Sequence, residues 1–245
     1  MTTPATPNLL TTAMIFAAGR GERMRPLTDS CPKPLLEAGG KPLIVWQIER
    51  LAAAGVRTIV INHAWLGERI EAALGDGARW GVRLRYSAEG EALETAGGIT
   101  QALPLIEAAG RAEVFVGVAG DVYADFDYRM LHRHAARLAS LPAPGMHLVM
   151  VPNPAFHPDG DFALRDGMLS LDGAPRFTFG SIGVYDTRMF RDLPRGTRRA
   201  LTPYYRDTIA QGRASGELYE GRWENVGTPA QLLALDRALR AGDAG

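Results

Sequence analysis

The sequence predicts an α/β fold in which helices cover both faces of a mostly parallel mixed sheet. Three observations lead there. Short apolar runs alternate with amphipathic stretches of helical length along most of the chain. The 245 residues suffice for one large domain, which buries roughly three quarters of the surface its unfolded chain exposes. Neither an internal repeat nor a low-complexity linker divides them.

In chain order, residues 1–11 have no basic n-region and no long apolar run, so they read as a flexible tail and not as a signal peptide. Strands are expected at residues 13–18, 58–62, 83–87, 114–119, 147–151 and 181–185. Between the first two, Ile44, Ile48 and Leu51 share one face of a helix over 42–54, with Gly55 as its stop. Further helices are expected at 65–74, 95–106, 127–138, 202–210 and 229–239, and the Pro/Gly-rich residues 141–145 read as a turn. From Asn153 the alternation weakens into what look like short antiparallel strands joined by Gly/Asp turns. That insertion is too small to fold alone, so residues 12–245 form one domain.

Composition narrows the function. At 46% hydrophobic and 22% charged, with no apolar run near bilayer length, the chain reads as a soluble protein with no membrane partner. Formal net charge is zero, which argues against a broad footprint for nucleic acid and leaves any anion site local. Cys31, the only cysteine, excludes a disulfide framework and agrees with the cytoplasm.

The first apolar run leads into Ala17-Ala18-Gly19-Arg20-Gly21, then Arg23, Arg25 and Lys33. A dinucleotide fingerprint would need glycine where Met24 stands and an acidic residue where Asn62-His63 ends the next strand; a Walker A loop would need Gly-Lys-Ser/Thr. Both are excluded. What remains is a glycine loop whose N–H groups can approach phosphate oxygens, with arginines suited to bidentate clamping. Only two of the 27 Lys and Arg residues are lysines, Lys33 and Lys41, both close to this loop. Lysine supplies a compact point charge that arginine does not. Read without reference to other proteins, these cations are either that phosphate clamp or ordinary surface charge.

The stretch AAGRGERMRPLT…CPKPLL resembles the signature of the sugar-1-phosphate nucleotidylyltransferases, and the similarity continues in order through VINHAWLG, YSAEGEALETAGGI, GDVYAD and WENVGTP. The resemblance implies a Rossmann-like, GT-A-type three-layer αβα sandwich with a small sugar-binding β insertion. Residues 12–152 would form a nucleotide-binding half and residues 153–245 a sugar-binding half. It implies Mg2+-dependent transfer of a uridylyl group from UTP to a sugar 1-phosphate, most closely N-acetylmuramic acid 1-phosphate in peptidoglycan recycling, by a monomer or small homo-oligomer. Two alternatives stand beside it: a guanylyltransferase for mannose or heptose 1-phosphate, and a non-catalytic sugar-nucleotide binder.

By the same resemblance, Arg23, assisted by Arg20 or Arg25, meets the β/γ-phosphates and Lys33 bridges the two substrates. Ala17, Ala18, Gly19, Gly21 and Gly120 cradle the nucleotide, and Asp121 holds magnesium. On position alone Asp121, after the apolar run 114–119, is equally a turn former or a ligand at the carboxyl end of a strand; Asp125 and Asp127 read as turn and capping residues. Glu89 matches the residue facing the base edge, with Glu94 and Thr95 contributing backbone groups; a carboxylate there suits uracil N3–H and guanine alike. Gly97-Gly98 serve either the nucleotide or close packing. Asn153, Asp161, Arg176 and Gly180 fall in segments that line the family's hexose pocket. The family's second metal carboxylate is replaced here by Asn225. His132 and His134 lie two apart on a helix and do not form a metal pair; His63 packs after a strand.

Overall fold

The computed structural model describes residues 10–109 and 113–242. The expected tail lies outside the described residues through residue 9. Leu10, also assigned to it, is buried in the core, and the Thr11 carbonyl accepts from the Arg57 and Thr58 N–H groups.

Thirteen strands are described: β1 (Thr12–Phe16), β2 (Glu37–Ala38), β3 (Lys41–Pro42), β4 (Thr58–His63), β5 (Arg83–Ala88), β6 (Val114–Ala119), β7 (Val122–Ala124), β8 (Met146–Val151), β9 (Phe162–Arg165), β10 (Met168–Ser170), β11 (Arg176–Asp186), β12 (Ala214–Leu218) and β13 (Trp223–Asn225). The α-helices are α1 (Leu27–Ser30), α2 (Leu43–Ala53), α3 (Gly67–Leu74), α4 (Glu94–Ala109), α5 (His132–Ala139), α6 (Thr202–Ala210) and α7 (Pro229–Arg240). A 3-10 turn over Tyr128–Leu131 takes the first part of the helix expected from residue 127; the Asp127 carboxylate caps it by accepting from the Arg129 N–H at 3.0 Å.

The main sheet has nine strands in the order β5-β4-β1-β6-β11-β8-β12-β10-β9. Strands β5, β4, β1 and β6 are parallel, because helical crossovers return the chain to the same end each time. Alternation along β1 splits the core: Ala13 and Ile15 face a cluster with α2, α3 and α5, whereas Met14 faces one with α4 and α6. A third cluster seats α7 on Met24, Tyr123 and Val226.

The sheet is less parallel than expected. Five antiparallel ladders, β6–β11, β8–β11, β9–β11, β9–β10 and β10–β12, outnumber four parallel ones. The insertion after Asn153 does form hairpin strands, but they join the main sheet instead of standing beside it. Strand β11 pairs β9 through Arg176 and Phe177, then β6 through residues 182–186, while β8 follows its other edge. Where it changes partner, the register with β8 breaks between Phe179 and Ile182, and the bulged Ser181 has a left-handed φ of 58°. Because β9 also pairs β10, strands β11, β8, β12, β10 and β9 close into a ring.

Candidate active site

The carboxyl ends of β1, β4 and β6 meet at a cavity of about 500 Å3 whose lining includes Ala17, Ala18, Gly19, Gly21, Arg23 and Lys33. Gly21 takes φ 70°, and its carbonyl accepts from Thr28 Oγ1 at 2.9 Å. A Cβ there would come within 3.1 Å of Lys33 Cβ, so glycine lets the loop close over the lysine. Gly19 differs: a Cβ would meet nothing within 4 Å, so the space above it is open to a ligand.

Lys33 is 8% exposed, and its Nζ donates to Asp121 Oδ2 across 88 positions of sequence. Asp121 is placed by Gly120, whose N–H donates to the Phe16 carbonyl at 2.9 Å and whose missing side chain lets the chain lie against Ile15. The Val226 N–H donates to the Asp121 carbonyl at 3.1 Å, and Asn225 pairs with Val122 in the β13–β7 ladder. Asp121, in the turn that leads into β7, and Asn225, on β13, therefore stand at one end of the β7–β13 ladder, but only Asp121 lines this cavity; Asn225 lines a separate one of about 330 Å3 with Trp223 and Gln231. A carboxylate and an amide oxygen are both hard oxygen donors of the kind a divalent cation takes.

The three loop arginines are not equivalent. Arg20 pairs with Glu22 at 3.1 Å and Asp29 at 3.8 Å and lies 3.7 Å over the Trp65 ring; Arg25 pairs with Asp29 at 2.8 Å. Among the described residues Arg23 forms no ion pair, and its guanidinium edges the cavity beside Gly227.

On the far wall, the Ala17 N–H donates to Asn62 Oδ1 at 3.0 Å, and Asn62 Nδ2 donates to Glu89 Oε1 at 2.6 Å. The Leu93 N–H donates to Glu89 Oε2 at 2.8 Å. Burial pushes the Glu89 carboxyl up, partly offset by the Leu93 and Asn62 hydrogen bonds. Gly98 accommodates this pair, since a Cβ would lie 2.5 Å from Glu89 Oε1 and 2.7 Å from Asn62 Nδ2. A Cβ on Gly97 would collide with the Thr197 carbonyl oxygen. Both glycines serve close packing. Glu94 opens α4 with a left-handed φ of 60°, and with Thr95 it lines both this cavity and an adjoining one of about 400 Å3.

The profile of the Nucleotidyl transferase family matches residues 12–153, more than half of the chain. The chain belongs to that family. As a nucleotidyltransferase it is 48% identical over 225 residues to N-acetylmuramate alpha-1-phosphate uridylyltransferase of Neisseria meningitidis serogroup B, covering 90% of this chain and 94% of that one. It is 33% identical to the protein of the same name from Caulobacter vibrioides, covering 93% and 96%. A solved glucose-1-phosphate thymidylyltransferase from Bacillus anthracis, in complex with sucrose, superimposes with TM-score 0.79 at 19% identity over 94% of this chain and 95% of its own. HddC from Yersinia pseudotuberculosis complexed with GMP-PN gives 0.73 at 17% identity, covering 93% and 99%. These neighbours share a Rossmann-like α/β fold with a mixed sheet.

Several expected site residues of the nucleotidyltransferase stand elsewhere. Glu89 does not line the cavity; both its oxygens hold the wall through Asn62 and Leu93. Asn153 spends its amide on the Pro158 and Arg176 carbonyls and on Thr178 Oγ1. Arg176 donates to the Asp161 and Leu171 carbonyls, and Asp161 Oδ2 accepts from the Phe179 N–H at 2.7 Å. These three brace the insertion. Gly180 gives its carbonyl to Trp223 Nε1 at 2.9 Å, while its neighbours Phe179 and Ser181 line the second compartment. Asn62, Arg198 and Ser181 were not expected. Asn62 could have been found as a polar residue ending an apolar strand beside the glycine loop; Arg198 and Ser181 carry no such signal.

Proposed function

We propose that the chain transfers a uridylyl group from UTP to N-acetylmuramic acid 1-phosphate, giving the UDP-sugar and pyrophosphate, with Mg2+ as the metal. The observation that carries the chemistry is the meeting of buried Lys33 with Asp121 beneath a glycine loop whose Gly19 faces open space. The choice of substrates is supported by two relatives that match over nine tenths of the chain or more. We place the nucleotide mainly on residues 12–152 and the acceptor mainly on 153–245, in a GT-A-type arrangement, in a cytoplasmic monomer or small homo-oligomer acting on small molecules.

A sugar-phosphate oxygen attacks the α-phosphorus; an O–P bond forms there, and the bond to the β-phosphate oxygen breaks in line. The nucleophile is anionic at neutral pH, so no side chain need take a proton. Catalysis then rests on positioning and charge neutralisation. Arg23, which forms no ion pair among the described residues, meets the β/γ-phosphates, and N–H groups of the glycine loop hold the oxygens around them. Lys33 leaves Asp121 to follow the α-phosphoryl group as its charge shifts; its compact ammonium suits a buried position between two anions. Asp121 and Asn225 would hold the magnesium ion, which when bound neutralises phosphate-oxygen charge. Asn62 and Glu89 fix the Ala17 end of the loop.

Pyrophosphate release measured across four nucleoside triphosphates and a panel of sugar 1-phosphates tests the reading. UTP with N-acetylmuramic acid 1-phosphate should give the highest kcat/KM. Faster turnover of GTP with mannose 1-phosphate would assign the chain to guanylyl transfer, and release from no pair would leave a sugar-nucleotide binder.

A further inference from the structure

Two compartments share the wall made by Phe16, Glu94, Thr95 and Ala119: the phosphate cavity, and the adjoining space lined by Phe179, Ser181, Leu201 and Tyr205. Among the described residues lining either one, three are cationic: Arg23, Lys33 and Arg198. The first two belong to the phosphates. The acceptor proposed above carries a second anion, a carboxylate on the lactyl ether at O3, remote from its 1-phosphate. A guanidinium in reach of that carboxylate can hold it by a bidentate, charge-assisted pair.

We propose that Arg198 recognises this carboxylate and so selects a carboxylate-bearing sugar 1-phosphate; the inference rests on the acceptor reading above. Its mounting suits the task. The Arg199 N–H donates to the Leu93 carbonyl at 2.9 Å, and the Gly97 N–H donates back to the Arg199 carbonyl at 3.1 Å. Thr197 lies flat on Gly97. The backbone on both sides of Arg198 is thus fastened to the start of α4, while its side chain is 74% exposed. Ala200 and Leu201, two and three residues on, line the second compartment, and Glu94, the partner of the guanidinium, lines both, so Arg198 stands near the junction of the two spaces. There Arg198 Nε pairs with Glu94 Oε1 at 3.3 Å. Glu94 acts as a stand-in anion: a substrate carboxylate replaces one exposed partner of the guanidinium by another that can take it bidentately.

N-acetylmuramic acid 1-phosphate and N-acetylglucosamine 1-phosphate differ only by the lactyl ether, so their kcat/KM ratio at saturating UTP isolates the contact. The parent should favour the first. Arg198→Gln should lower that ratio by about 10- to 100-fold, through KM; Arg198→Lys should retain part of it and Arg198→Glu should lower it further. If Arg198→Gln changes both sugars equally, or raises the KM for UTP instead, the arginine serves the phosphates and the inference falls. A parent that takes N-acetylglucosamine 1-phosphate as well as its lactyl ether overturns the inference while leaving uridylyl transfer standing. No turnover of either sugar removes the acceptor reading and the inference with it.

Discussion

Gly98→Ala sets two opposed effects against each other at the wall of the candidate site. Position 98 lies inside α4 with an ordinary helical backbone, so alanine should stabilise the helix by up to about 1 kcal/mol. The added Cβ, however, lies 2.5 Å from Glu89 Oε1 and 2.7 Å from Asn62 Nδ2. Ordinary contact needs roughly 3.5 Å, so both atoms must retreat by about 1 Å. Neither can move alone: Glu89 also accepts from the Leu93 N–H, and Asn62 from the Ala17 N–H. Disturbing a hydrogen bond to a charged group costs about 1.5–3 kcal/mol, and overpacking about 1–3 kcal/mol; the two overlap because the same displacement causes both. The net expectation is a loss of about 2 kcal/mol, or about 4–8 °C in Tm for a domain of this size. Urea and thermal unfolding measure it, and KM for UTP should rise because the Ala17 end of the loop loses its anchor. A Gly98→Ala protein as stable as its parent, with the parent's KM, would show that the Asn62–Glu89 pair is not a fixed wall.

Lys33→Arg should lower kcat by at least about tenfold, ~1.4 kcal/mol, because the larger guanidinium must fit where Lys33 is packed against Gly21; Lys41→Arg should change little, since Lys41 lies 3.8 Å over the Trp46 ring and pairs with Glu49 at 2.5 Å. Steady-state rates of both variants decide it. Asn225→Asp should lower the magnesium concentration for half-maximal rate by about tenfold and Asp121→Asn should nearly abolish turnover; superimposable magnesium curves would remove residue 225 from the metal. Stability should fall on acidification through a cluster away from the active site, where His134 and His147 stack with centroids 3.5 Å apart and lie 3.6 and 3.5 Å from Glu217, itself paired with Arg133 at 3.0 Å. Burial holds His147 below its ordinary 6.5, and for Glu217 the hydrogen bonds and charges of both histidines outweigh burial and hold its carboxyl below 4.5. In each case the unfolded chain binds the proton more readily, so stability is full above about pH 6.5, declines below it and declines again below about 4.5. Urea midpoints between pH 8 and 4 test this, and His147→Gln should flatten the first decline.

Strands that are buried on both faces were legible. β1, β4, β6 and β8 stand within two residues of their expected bounds because a continuous apolar run needs no partner to announce itself. β12, with sequence ASGEL, and the three-residue β7 and β13 have no such run; they exist because a long-range neighbour supplies their ladder. The same division holds in the site. The glycine loop, Lys33 and Asp121 could be proposed from motifs, yet their contact spans 88 positions and only the fold brings it about. Asn153, Asp161 and Arg176, expected at the sugar, hold neighbouring backbone, and residue type does not reveal whether a polar group is spent in that way. Ser181 faces the second compartment only because a bulge turns it there, and a bulge is a property of two strands, not one.

A sheet ordinarily has two ends at which a foreign strand can dock. Here one end has been spent: β9, last in the order, bonds to both β10 and β11. Among the described strands of the main sheet, that leaves β5 as the open margin, and its Arg83 and Arg85 are exposed there. Guanidinium groups along a margin discourage another strand from adding by backbone pairing. Growth of the sheet, whether as misassembly in a crowded refolding mixture or as a deliberately grafted extension, is therefore confined to a single guarded side. Removing those two charges would take away that guard.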